Sequence, residues 1–97
     1  MNSLTTDTFF NGKISVKQER SGYRFSIDAV ILAGHVKAKS GDRILDIGTG
    51  SGIISLILAY RNPEITICGV EVQKSLADIA ARNVKDNNIE NRVKILC

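Results

Sequence analysis

The stretch RILDIGTGSGIISLILAYRNPEITICGVE, residues 43–71, decides the fold. It reads in order as a strand (Arg43 to Ile47), a glycine-rich turn, a helix (Ile53 to Arg61) and a second strand (Ile65 to Glu71) ending in a carboxylate. Gly48, Gly50 and Gly52 alternate through the turn. A missing Cβ at such positions lets the backbone turn sharply or approach a ligand closely. Asn62-Pro63 stops the helix, because proline disfavours helical geometry in the residue before it. Strand, glycine turn, helix, strand and acid, in that order, form a nucleotide-binding half-unit whose acid bonds a ribose hydroxyl. An α/β fold with parallel strands follows.

Downstream, the spacing predicts a second helix over Gln73 to Asn87, with Leu76, Ile79, Ala80 and Val84 on one face. Asn87-Asn88 suits a left-handed helix terminus, and Val93 to Cys97 reads as a third strand. Upstream, Met1 to Thr8 is polar and is expected to be ordered only in part. Asn11-Gly12 between Phe9-Phe10 and Ile14-Ser15-Val16 predicts a small β-hairpin, with Ile14 and Val16 on its apolar face. Ser26 is a good N-cap for a helix running to about Val36, and Asp28 meets the positive end of its dipole. Ile27, Val30, Ile31 and Gly34 share its expected inner face, while His35 sits where positive charge is favoured. The helix at 53–61 has little polar face and needs cover on more than one side, which the helix at 26–36 supplies. The expected division is 1–40, a hairpin and covering helix, and 41–97, a Rossmann-like unit of three parallel strands.

Length and composition narrow the function classes. Ninety-seven residues make one domain, and 43% hydrophobic with 24% charged residues is a globular composition. No apolar run approaches the roughly 20 residues that a membrane span needs. No basic patch followed by an apolar run marks the amino terminus, so a cytoplasmic location is the expectation. Cys68 and Cys97 have no CxxC spacing or partner His, and buried free thiols, with neither metal nor redox chemistry, are expected. The formal charge of +3 comes entirely from residues 1–43, which hold seven Lys or Arg against four Asp or Glu. A modest basic face there suits a polyanion such as RNA, although scattered charges of this number also suit a solvated surface.

The ligand is narrowed by two acids. Glu71 lies 23 residues past Gly48, near the usual ~20. Asp46 faces a turn that elsewhere receives a pyrophosphate, and two negative groups there would repel. A ligand with an ammonium group and no phosphate fits better, which argues against NAD. DIGTGSG, residues 46–52, resembles the first motif of class I S-adenosylmethionine-dependent methyltransferases. That resemblance implies cofactor binding by Asp46, Gly48, Thr49, Gly50 and Gly52, with Asp46 near the amino acid end. It gives Glu71 the ribose and sets Val72 beside the adenine.

Further stretches, TDTFFNGKI (6–14), GYRFSIDAVILA (22–33) and GVEVQ (69–73), resemble the bacterial tRNA adenine-N6 methyltransferases that modify the valine tRNA anticodon loop. By that resemblance Arg24, Phe25 and Asp28 close over the methionine end, where core packing and helix capping are equal alternatives. The family carries an Asn-Pro-Pro-aromatic motif that holds the adenine amino group. The single proline here is Pro63, followed by Glu64, so no catalytic residue is assigned. The expectation is the first half of such an enzyme, inactive alone, with tRNA as the parent's partner. A protein glutamine as methyl acceptor, or a non-catalytic RNA- or partner-binding module, remain as alternatives. In the family fold the first strand is central, so Arg43 to Ile47 is expected to show an unpaired edge and to self-associate.

Overall fold

The structure, a computed structural model, describes residues 4–19 and 27–97. Arg24, Phe25 and the proposed cap Ser26 lie outside the described residues, and of Asp28 only the backbone is described. The elements run β1 (Leu4–Phe9), β2 (Ile14–Glu19), α1 (Ile27–His35), β3 (Arg43–Ile47), α2 (Ile53–Arg61), β4 (Thr66–Val70), α3 (Lys74–Asp86) and β5 (Val93–Leu96). β1 and β2 form an antiparallel hairpin, and β3, β4 and β5 form a parallel sheet in that order. This is the α/β arrangement expected, hairpin included.

The consecutive order β3-β4-β5 has a geometric consequence. Right-handed crossovers that advance in one direction carry α2 and α3 over the same face of the sheet. Side-chain burial follows suit: Ile67, Gly69 and Val93 are buried on the helical side, whereas Leu45 and Ile47 on the other are 60% and 77% exposed. α2 is the centre of the helical layer, with Ile53, Leu56, Ile57, Leu58 and Ala59 all buried. Each of its large aliphatic side chains contributes roughly 1.5–3 kcal/mol by leaving water. One apolar cluster joins Ile53, Leu56 and Ile57 to Ile14, Val16 and Ala33, so the hairpin and α1 share a core with α2. The other joins Leu58, Ala59 and Val84 to Ile67 and Val93 of the sheet. Arg61 fastens α1 further, donating from its guanidinium to the carbonyls of Ala33 and Gly34 in the last helical turn.

The hairpin turn is the one Asn-Gly calls for. Asn11 and Gly12 have φ of 56° and 83°, and the Lys13 amide reaches the Phe10 carbonyl at 3.2 Å, as in a type I′ turn. Phe10 itself has φ of 54°, which ends the ladder at Phe9–Ile14. A bulky residue rarely adopts that conformation. Its ring is held by stacking on Tyr60, with centroids 4.6 Å apart.

Three expectations are corrected. Leu4 to Thr8, read as a partly ordered tail, belongs to β1, where its threonines suit an extended chain paired with β2. On α1 the inward side chains are Ala29, Val30 and Ala33; Ile31 is 53% exposed and Gly34 is also exposed. The helix is apolar nearly all round, so periodicity alone could not choose its buried face. Of the two free thiols, Cys68 is half-buried and Cys97 exposed, so neither is fully buried.

Candidate functional site

The glycine turn hangs from the end of β4. The amides of Gly48 and Thr49 both donate to the Val70 carbonyl, at 2.8 and 3.0 Å. Gly48 and Gly50 have φ of 70° and 58°, the left-handed geometry that a side chain disfavours. At Gly48 no atom lies within 4 Å of where a Cβ would stand, and the residue is exposed. The turn is therefore open to a ligand at this residue. The Gly52 amide closes it by donating to Thr49 O at 2.8 Å, and Gly52 then caps α2 without any side-chain bond.

Asp46 braces the turn from below. Its Oδ2 accepts the hydroxyls of Thr49 and Ser55, each at 2.8 Å. Both bonds fall on one oxygen, which leaves Oδ1 for a donor outside the loop. Glu71 closes the opposite side. Its Oε1 accepts the Gly50 amide at 2.9 Å and its Oε2 the Gln73 amide at 3.0 Å, with the residue only 6% exposed. Val72, next in sequence, is 86% exposed. Asp46, Gly48, Thr49, Gly50, Gly52 and Glu71 thus converge on one loop, with Val72 beside it.

The sequence casts Asp46 and Glu71 as ligand contacts alone; the structure shows both holding the loop's own backbone or hydroxyls. Three further residues were missed, and each left a signal. Ser55 is a fully buried hydroxyl in a helix of aliphatic residues. Asn83 is a fully buried amide on the apolar face of α3. Gly69 interrupts a strand, which marks close approach of another group. A Cβ at Gly69 would stand 3.0 Å from both Thr49 Oγ1 and Ile95 Cδ1 and 3.2 Å from Thr49 Cβ. Gly69→Ala is therefore expected to cost about 1–3 kcal/mol by overpacking. Chemical denaturation would measure it, and an unchanged midpoint would refute the tight contact.

A glycine loop at the carboxyl ends of parallel strands, closed by an acid just past β4, is the nucleotide-binding half-unit that class I methyltransferases share with other Rossmann-like folds. The methyltransferase small domain model matches residues 21–96, and the chain belongs to that family. A curated relative, the tRNA1(Val) (adenine(37)-N6)-methyltransferase of Flavobacteriaceae bacterium (strain 3519-10), is 30% identical over 84 residues, 87% of this chain and 36% of the relative. The chain thus spans about a third of that relative's length. Among solved structures, P. horikoshii TYW2 in complex with MeSAdo aligns over 99% of this chain and 36% of its own, with TM-score 0.81 and 22% identity. The SAM-dependent methyltransferase from Thiobacillus denitrificans, in complex with S-adenosyl-L-homocysteine, aligns over 74% of this chain and 29% of its own, with TM-score 0.62 and 22% identity.

Proposed function

We propose that this chain forms the S-adenosylmethionine-binding part of a cytoplasmic methyltransferase whose methyl acceptor is an adenine amino group (N6) in tRNA. The observation that carries this reading is the Glu71 carboxylate, held at the mouth of the glycine turn by the Gly50 and Gln73 amides with the exposed Val72 beside it. Each of its oxygens keeps a second lone pair for a ribose hydroxyl.

The donor set fits the cofactor. Asp46 Oδ1 suits an ammonium, and the open surface at Gly48 suits a close ligand. The first turn of α2 holds no acidic residue and no side-chain cap, which suits a carboxylate. Ser51 Oγ adds a buried hydroxyl in the same turn that has no partner. Asp46, Gly48, Thr49, Gly50 and Gly52 would hold the amino acid end and ribose, Glu71 the ribose hydroxyls and Val72 the adenine. Arg24, Phe25 and Asp28 would cover the methionine, with residues 1–40 acting as cover and 41–97 as cofactor half. The bound cofactor supplies a methyl group on a sulfonium, and these side chains orient it.

The tRNA reading is supported by the name of the Flavobacteriaceae relative and by exposed Lys13, Lys37, Lys39 and Arg43. The chain contains no Asn-Pro-Pro-aromatic sequence to clamp an amino group, so alone it is expected to bind cofactor weakly and transfer no methyl. A second copy of the chain is the proposed partner of the β3 edge, which is unpaired among the described residues. Titration calorimetry with S-adenosylhomocysteine, followed by competition with NAD, tests the cofactor. Weak saturable binding that NAD fails to displace is expected, and preferential NAD binding would refute it.

A further inference from the structure

Asn83 of α3 and Asn87, the residue that caps its carboxyl end, pair with the outer edge of β2 as a neighbouring strand would. Asn83 Oδ1 accepts the Lys17 amide at 2.7 Å, and its Nδ2 donates to the Lys17 carbonyl at 2.9 Å. Asn87 repeats the pattern on Ser15, accepting its amide at 2.9 Å and donating to its carbonyl at 2.6 Å. The spacing is physically matched: four residues of helix rise about 6 Å and two residues of strand about 6.7 Å. The unpaired edge of the hairpin is thereby satisfied by side-chain amides.

The two residues differ in one respect. Asn87 gives its second hydrogen to the Asn83 carbonyl, within its own helix, at 2.7 Å. Asn83 gives its second hydrogen to the Ser51 carbonyl, at 2.8 Å, inside the glycine turn. Asn83 is fully buried, and its two donor hydrogens and its oxygen are all engaged. No water can take over these bonds without opening the packing.

We propose that Asn83 is a positioning residue that couples docking of the hairpin to the conformation of the cofactor loop. The hairpin is then part of the binding site's support. Coupling is reciprocal, so a ligand that steadies the loop must strengthen hairpin docking by the same factor. The inference rests on the cofactor reading above for its ligand, though not for its geometry.

The test compares Asn83→Ala with Asn87→Ala in the full chain by hydrogen exchange and by S-adenosylhomocysteine titration. Both variants are expected to speed exchange at the Ser15 and Lys17 amides. Asn83→Ala alone is expected to speed exchange at the Gly50 and Gly52 amides and to weaken the ligand by about 5- to 100-fold, the range for losing a buried hydrogen bond. Asn87→Ala should stay within about threefold of wild type for the ligand, since it leaves the loop bond intact. Saturating ligand should slow Ser15 and Lys17 exchange in the wild type, an effect that Asn83→Ala removes. Should Asn83→Ala fail to fold, Asn83→Ser, uncharged and too short to span both the Lys17 and Ser51 backbones, is expected to behave likewise. Loop exchange and affinity unchanged in the Asn83 variants would overturn the proposal. If the wild type binds no S-adenosylhomocysteine, the cofactor reading fails, and exchange at Gly50 and Gly52 still decides the role of Asn83.

Discussion

Glu71→Ala is expected to lower affinity for S-adenosylhomocysteine by at least about 100-fold and to destabilise the fold by about 2–4 kcal/mol. The stability loss follows from what the carboxylate does in the absence of ligand. Two backbone amides, Gly50 and Gln73, donate to it in a position only 6% exposed. The buried Gly50 donor left without an acceptor costs about 1–3 kcal/mol, and the part-buried Gln73 amide adds about 1 kcal/mol. The affinity loss adds the ribose contacts to the freed Gly50 segment, which no longer holds the shape of the turn. Glu71→Gln separates the two roles. Its amide oxygen can still accept from the buried Gly50 amide, while its NH2 group cannot accept from the part-buried Gln73 amide, so only the smaller part of the stability loss is expected. Calorimetry measures the affinity and urea unfolding the stability. Affinity for S-adenosylhomocysteine unchanged in Glu71→Ala would sink the assignment of this residue to the site.

Much of the fold was legible because local signals and tertiary demands agree. The order of Arg43 to Ile47, the glycine turn and the Asn62-Pro63 stop marks strand, loop and helix limits that the structure reproduces within a residue or so. Asn11-Gly12 likewise specified its turn through backbone geometry alone. What was not legible depends on partners distant in sequence. Leu4 to Thr8 looks like a polar tail until β2 provides its ladder. Asn83 falls on the apolar face of an amphipathic helix, but its partners, the Lys17 and Ser51 backbones, are visible only in the folded chain. Asp46 and Glu71 were identified by type and spacing, yet their bonds to Thr49, Ser55, Gly50 and Gln73 required the loop to be folded first.

The open side of the sheet sets the remaining large effect: the isolated chain is expected to self-associate, and Leu45→Lys with Ile47→Lys to return it to monomer. Because α2 and α3 lie on one face, the opposite face shows a row of Ile47, Val70 and Leu96 in register, with Leu45 beside it. Ile47, Leu45 and Leu96 are 77%, 60% and 48% exposed. Among the described residues β3 also pairs with β4 alone, so its outer N–H and C=O groups offer a template for another strand. In a solution of the purified chain, a second copy is the partner at hand. Covering Leu45 and Ile47 would each contribute roughly 1–2 kcal/mol from the surface they expose. Substitution at such exposed positions changes fold stability by about 0.5 kcal/mol or less. The variant should therefore keep its helical circular dichroism and lose only association, which distinguishes interface loss from unfolding. Light scattering across a concentration series is the measurement. A wild-type chain that stays monomeric at its highest soluble concentration would refute self-association through this edge.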